Sequence, residues 1–394
     1  MRTKLTLIIA LLLSGILSLE VRGADAERVA AMEGEIMQIF RDLDMSGLGI
    51  AVVKDDSIIY QQSFGYRVLP DSVHPEGEPL ENDDIFRIAS VSKSFIATAI
   101  MQLVDAGRLR LDDDAEAYLP FRLRNPKYPD VPITIQQLFT HTSSINDKRS
   151  WWNIDYINPE SGDEYKQCYS DWAPGNGYVY CNMNYTLLGA VIEGVTGERF
   201  DKVVKERILD PLGIGGSFNV NLLDPSKFVQ LYWCDEKTGE KYHSEEAYKP
   251  YRYQIQDTYK LGKSLGLEYP ASGMKISSGD LARFMMMFMY RGELDGVRLL
   301  SEKSVLEMEK DLVPGHNYGL SLRQYKGVVR GRTLHGQTGG GHGNKTCMIY
   351  DPEHKIGFVV LSAGADTKYI DGYEDIHRPI MWILYKYLLK DEQR

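Results

Sequence analysis

The sequence predicts an α+β fold: an antiparallel sheet built from both termini, flanked by helices, with a mostly helical lobe inserted between its two parts. Three observations predict it. An apolar run of strand length, rich in β-branched residues, lies near the start at 48–54, and a second strand returns over 57–64. Similar runs return near the end, at 346–350 and 356–361. Between them, residues 108–290 carry helical periodicity and loops, without a repeat or a low-complexity linker.

Taken in order, the chain starts with Arg2 and Lys4 ahead of an apolar run over 5–19, followed by small residues Gly23, Ala24 and Ala26. That pattern is a signal peptide over 1–23, too short for a comfortable membrane span. The expectation is an exported, periplasmic or secreted protein over 24–394, with no stable membrane insertion after cleavage. Its sheet part covers about 27–85 and 293–394, and its helical part about 86–292.

Asp55-Asp56 turns the first strand into the second, and a loop with Pro70, Pro75 and Pro79 leads to Phe86. Ile96, Ala97, Ile100, Met101, Leu103 and Val104 then recur at helical spacing, ended by Gly107. Further helices run through Leu187, Leu188, Val191, Ile192 and Val195, stopped by Gly197, and through 280–292. The tail offers strands at 328–330, 346–350 and 356–361, then a last helix with Ile383, Leu384, Tyr387 and Leu388.

Composition narrows the function classes. Charged residues make up 25% and net charge is −10, with no block of like charges, so no basic patch marks a nucleic-acid binder. No Cys/His/Asp spacing suggests a metal, and no cofactor is expected. The partner implied is a small-molecule or peptide substrate, and a monomer is expected. Cys168, Cys181, Cys234 and Cys347 allow three full pairings in an oxidising compartment. Cys168 with Cys234 is the pair favoured, since Cys181 and Cys347 lie in core-like segments; four free thiols is the alternative. Six tyrosines between Tyr242 and Tyr269 offer either packing or the wall of a cleft.

Two Ser-x-x-Lys matches occur, Ser90/Lys93 in FRIASVSKSF and Ser272/Lys275 in YPASGMKIS. About one or two are expected by chance in a chain this long, so spacing alone decides nothing. Ser90 stands where a loop enters a long apolar helix. Residues three apart share a helix face, so Lys93 reaches the Ser90 hydroxyl. A helix N-terminus also favours a deprotonated oxygen. Ser272 sits between proline and glycine, where a helix is not expected. The plainer reading of Ser90, a helix cap with a solvated lysine, conflicts with the apolar Phe95, Ile96 and Ala97 that follow.

FRIASVSKSF resembles the nucleophile motif of the serine β-lactamase and penicillin-binding-protein superfamily, in the branch of class C β-lactamases, D-alanyl-D-alanine carboxypeptidases and related esterases and peptidases. ITIQQLFTHTSSI (133–145) resembles its LLTHTSG segment, with Ser144 where glycine is usual. YVYCNMNYTLLGAVIEGVTG (178–197) resembles its Tyr-x-Asn motif, and HGQTGGGHG (335–343) its third motif on a strand edging the site. GRLRLDDDAEAYLP (107–120) and ASGMKISSGDLARFM (271–285) match further segments in the family's order, so the resemblance spans about 48–361.

The resemblance implies a β-lactamase/transpeptidase-like fold and an acylating serine hydrolase. Ser90 is then the nucleophile, and Lys93 with the Tyr180 phenol takes its proton. Asn182 bonds Lys93 and the substrate amide. Gln337, Thr338, Gly339 and Gly340 line the substrate, and the N–H groups of Ser90 and Gly340 form the oxyanion hole. Gln337 stands where relatives commonly place a lysine or histidine that attracts a substrate carboxylate. Its neutrality implies a poor β-lactamase unless Arg332, His335, His342 or Lys345 compensates. His141 is read as a structural hydrogen-bonder, and Trp151 and Trp152 as neighbours of the cleft. The glycosylation patterns at Asn184 and Asn344 are read as chance, since both fall in motif or strand regions.

Overall fold

The computed structural model describes residues 23–149, 153–235, 237–249, 259–266, 268–365, 369–370, 373–374 and 376–390. Residues 1–22 of the expected signal peptide, Trp151, Trp152, Tyr251 and Tyr253 lie outside the described residues.

The elements that position the site are, in order, α1 Gly23–Asp42, β1 Gly47–Lys54, β2 Ser57–Val68, β3 Glu78–Pro79, α2 Lys93–Asp105, α3 Asn182–Thr196 and α4 Ser278–Met289. Then come β4 Arg323–Lys326, β5 Thr333–Gly341, β6 Asn344–Asp351, β7 Ile356–Ala363 and α5 His377–Leu384. The seven strands form one antiparallel sheet in the order β4-β5-β6-β7-β1-β2-β3. N-terminal β1 pairs along its whole length with C-terminal β7, Ile50 opposite Val360, so both ends of the chain build the sheet.

Strands covered on both faces read as unbroken apolar runs. Alternation sends Leu48, Ile50 and Val52 of β1 to one face and Ala51 and Val53 to the other. The first face packs against α1 and α5 through Met32, Ile36, Ile380 and Leu384. The second packs against the helical lobe, where Phe95 of α2 stacks on Phe284 of α4 at 3.8 Å.

Two expectations are corrected, the strand at 328–330 and the Cys168–Cys234 pair. Residues 328–330 are not a strand. Val328 and Val329 are buried in a turn bracketed by Gly327 and Gly331, both at positive φ, and the edge strand is the polar Arg323–Lys326. Cys168 and Cys234 are not joined. The Cys168 thiol donates to the Tyr156 carbonyl and the Cys234 thiol to the Gly239 carbonyl. Tyr248, Tyr259 and Tyr269 serve packing. Tyr248 stacks on Phe228, Tyr259 bonds Glu193 and Tyr269 bonds Asp201. Asn184 and Asn344 are fully buried. Among the described residues, no helix is long and apolar enough to cross a membrane.

Candidate active site

Ser90 lies in a 3-10 turn, Ala89–Ser92, that runs directly into α2. Ala89 holds a left-handed φ of 45°, a conformation that costs an alanine on the order of 1 kcal/mol or more and is kept only where surroundings enforce it. The enforcement is visible. Asn344 donates to the Arg87 carbonyl, Thr346 Oγ1 to the Ile88 carbonyl at 2.8 Å, and Ile88 N–H to the Met274 carbonyl at 3.0 Å. From β5, Gly339 lies so close that a Cβ there would sit 2.7 Å from both Ser90 N and the Ile88 carbonyl. Only glycine lets this strand approach the serine turn.

One turn on, Lys93 is fully buried. Its Nζ stands 2.9 Å from Ser90 Oγ, 2.8 Å from Asn182 Oδ1 and 3.0 Å from the Ala271 carbonyl. The amide and peptide oxygens can only accept, so they commit two N–H groups. The third direction, toward Ser90, takes an N–H when the amine is charged and a lone pair when it is neutral. The same geometry therefore serves resting and proton-accepting forms. The Tyr180 hydroxyl donates to Ser90 Oγ at 3.1 Å, and Lys93 Nζ lies 5.2 Å from the centre of the Tyr180 ring.

Tyr180 and Asn182 flank the corner where the chain enters α3. His141 backs this corner, its ring 4.3 Å from that of Tyr180. Its Nδ1 accepts the Cys181 N–H at 3.2 Å, so its proton sits on Nε2, 3.1 Å from the Tyr318 hydroxyl. Burial first, then the Lys93 and Arg323 cations, hold its pKa well below the usual histidine value. A neutral structural hydrogen-bonder results.

The third motif behaves differently from its expected role. β4 pairs only with residues 333–336 of β5. Alternation puts Gln337 and Gly339 on the face toward the lobe and Thr338 and Gly340 on the other. Gln337 is 2% exposed, and its amide donates to the Ser321 carbonyl at 2.9 Å and to the Tyr318 hydroxyl at 3.3 Å. It is a buried strut rather than a wall of the cleft. Thr338 is half-buried and Gly340 exposed. Of the compensating cations expected, Arg332 pairs with Asp351 at 3.3 Å, and His342 Nδ1 lies 2.7 Å from Ser244 Oγ. His335 is partly buried beside Tyr350, and Lys345 pairs opposite Gly340.

Sequence reasoning missed three contributors. The Ala271 carbonyl comes from the segment carrying the second Ser-x-x-Lys match. There Ser272 ends a short helix, Glu268–Ser272, and its oxygens accept from Arg87. Arg323 places its guanidinium 4.9 Å from the Tyr318 ring centre and 3.5 Å from the Tyr178 hydroxyl. Asp147 grips the start of α3 from a distant loop. None of these leaves a local sequence signal: one is a backbone atom, one lies on an unexpected strand, and one caps a helix 35 residues away in the chain.

With this geometry in place, a family model described as Beta-lactamase matches residues 29–376. The chain belongs to the β-lactamase family. This β-lactamase-family chain is 27% identical over 272 residues to "Penicillin-binding protein 4" of Amycolatopsis lactamdurans, covering 64% of itself and 66% of that protein. It is 29% identical over 229 residues to "Esterase EstB" of Burkholderia gladioli, covering 53% of itself and 56% of the esterase. The matches thus span about two-thirds and just over half of those relatives. Among solved structures, the octameric penicillin-binding protein homologue from Pyrococcus abyssi superposes with a TM-score of 0.70 at 27% identity, over 91% of this chain and 77% of that one. Penicillin-binding proteins and an esterase therefore share its family, and the fold is β-lactamase/transpeptidase-like.

Proposed function

We propose that the protein is an exported serine hydrolase that forms an acyl-enzyme on Ser90 and cleaves amide, peptide or ester bonds. The observation that carries this reading is the convergence of Lys93 Nζ and Tyr180 Oη on Ser90 Oγ, at 2.9 and 3.1 Å, in a site where the lysine is fully buried. Ser90 Oγ attacks the substrate carbonyl, and its proton passes to the neutral amine of Lys93 or through the Tyr180 oxygen. The carbonyl oxygen gains the negative charge and rests on the N–H groups of Ser90 and Gly340. Collapse breaks the bond to the leaving group, which departs with that proton and leaves the acyl ester on Ser90. A water attacks the ester by the same route and restores the serine.

Because Gln337 is neutral and buried, its position supplies no cation for a substrate carboxylate, and the preference proposed is for esters or amides that need no such anchor over β-lactams. The test uses purified residues 24–394 with a fluorescent penicillin, a fluorophosphonate, nitrocefin and a short-chain p-nitrophenyl ester. The wild type turns over the ester faster than nitrocefin, and Ser90→Ala is inactive and unlabelled. Label that persists without turnover would make the protein a penicillin-binding sensor, and an active Ser90→Ala would end the reading. N-terminal sequencing of the exported form, expected to begin between Gly23 and Glu27, checks export.

A further inference from the structure

The start of α3 is held in an unusual way. A helix leaves its first N–H groups without partners inside the helix, and a Ser, Thr, Asp or Asn at the cap normally fills one of them. Here the cap residue is Cys181, in extended conformation, and its own side chain makes no capping bond. Asp147 fills the gap from the loop that follows His141. Its Oδ2 accepts the Asn182 N–H at 2.6 Å, and its Oδ1 accepts the Met183 N–H at 3.1 Å and the Cys181 thiol at 3.2 Å. The remaining N–H of the corner, on Cys181, goes to His141. Side chains of one loop therefore take the N–H groups of residues 181, 182 and 183 in succession.

The loop that does this is itself fixed. His141 and Ser144 adopt left-handed backbone conformations, at φ 58° and 66°. The Val179 N–H returns to the His141 carbonyl at 3.1 Å, and Ser143 Oγ donates to Asn184 Oδ1 at 2.8 Å. Among the residues gripped, Asn182 accepts from Lys93 Nζ, and Tyr180, which donates to Ser90 Oγ, immediately precedes them.

We propose that Asp147 is a positioning residue for the reaction, setting through the start of α3 where the Tyr180 hydroxyl and the Asn182 amide stand relative to Ser90 and Lys93. The proposal rests on the acyl-enzyme reading above. A carboxylate suits the task because it only accepts, with two oxygens for three donors. Asparagine at this place has one oxygen and would turn an N–H₂ toward one of those donors. A corner displaced by a fraction of an ångström upsets a geometry in which about 1 Å costs on the order of 100-fold in rate.

The experiment compares the wild type, Asp147→Asn, Asp147→Ser and, as a remote capping control, Ser301→Ala, using ester kinetics and thermal unfolding. Ser301 caps the helix Glu302–Glu309 through the Ser304 N–H, far along the chain from the site. Expected is a loss in kcat of about 10- to 100-fold for Asp147→Asn with KM within about threefold. Asp147→Ser, which keeps one acceptor, falls between it and the wild type. Ser301→Ala lowers Tm and leaves kcat unchanged. An Asp147→Asn enzyme with wild-type kcat, or a kcat loss that tracks Tm equally in the Ser301 control, overturns the proposal. Native-state hydrogen exchange of the wild type reads the same bonds without any variant. The Asn182 and Met183 amides should be protected relative to those of Glu302 and Lys303, and equally fast exchange also overturns the proposal. A dead Ser90→Ala beside a fully active Asp147→Asn would remove this inference alone. An active Ser90→Ala would remove the function reading beneath it.

Discussion

Replacing Gln337 by lysine, the residue that relatives commonly place there, should unsettle the fold rather than change the substrate. Gln337 is 2% exposed, donates to Ser321 and Tyr318, and accepts the Thr338 N–H at 3.1 Å. Lysine can donate to the same oxygens but accepts nothing, so the Thr338 N–H loses its partner at about 1–3 kcal/mol. The ammonium must also leave water without a counterion, beside a tyrosine that already carries the Arg323 guanidinium on its ring. That desolvation costs on the order of several kcal/mol even after relaxation. Together these give about 4–6 kcal/mol, and a fall in Tm on the order of 10 °C. Thermal unfolding of Gln337→Lys beside the wild type measures it, with kcat/KM for nitrocefin and for the ester taken on the folded fraction. A variant whose Tm stays within about 2 °C and whose preference moves toward nitrocefin would refute the reasoning, because the side chain would then face the cleft.

Lys93→Met should cut acylation by about two to four decades, the usual worth of a general base, while Tm changes little because ending the burial of a polar amine offsets the three lost bonds; stopped-flow labelling and unfolding scans check both halves. Ser272→Ala should leave kcat intact and cost about 1–3 kcal/mol, since Ser272 Oγ accepts from the buried Arg87 at 3.0 Å; kinetics and denaturant melts read this. Glu193 is raised to about 7, by burial foremost, although Gly262, Phe200 and Tyr259 donate to it. A carboxyl that binds its proton more tightly folded than unfolded stabilises the fold fully below its ordinary value of 4.5, and that contribution is lost as pH rises through about 7. Tm should therefore fall between those values in the wild type, and the fall should flatten in Glu193→Gln.

Much of this was legible in the sequence because it is periodic or local. Residues 48–53 and 356–361 announce themselves as strands, since burial on both faces leaves no polar positions, and they pair with one another. Ser90 and Lys93 sit one helical turn apart, so a short apolar helix entry was enough to bring them together. What escaped was non-local or carried by the backbone. The strand Arg323–Lys326 reads RQYK, with no alternation to see, while neighbouring Val328 and Val329 look strand-like but are bent between two glycines. Gln337 lies on the expected strand and on the face toward the lobe, but Tyr318 and Ser321 cover it, and nothing local in the sequence announces that cover.

The site gathers costs that a fold would normally avoid: a left-handed alanine before the serine and a lysine with no exposed surface. Each is balanced by atoms from another part of the chain. Asn344 and Thr346 of β6 hold the backbone of Arg87 and Ile88, Met274 bonds Ile88 and the Ser92 hydroxyl, and Ala271 and Asn182 receive Lys93. These supports come from the sheet on one side and the lobe on the other, so the serine turn is assembled only when both are in place. A local Ser-x-x-Lys match is cheap in sequence, whereas this set of distant acceptors is not. The second match shows the difference, since its serine is committed to Arg87 while its neighbouring carbonyl serves the first.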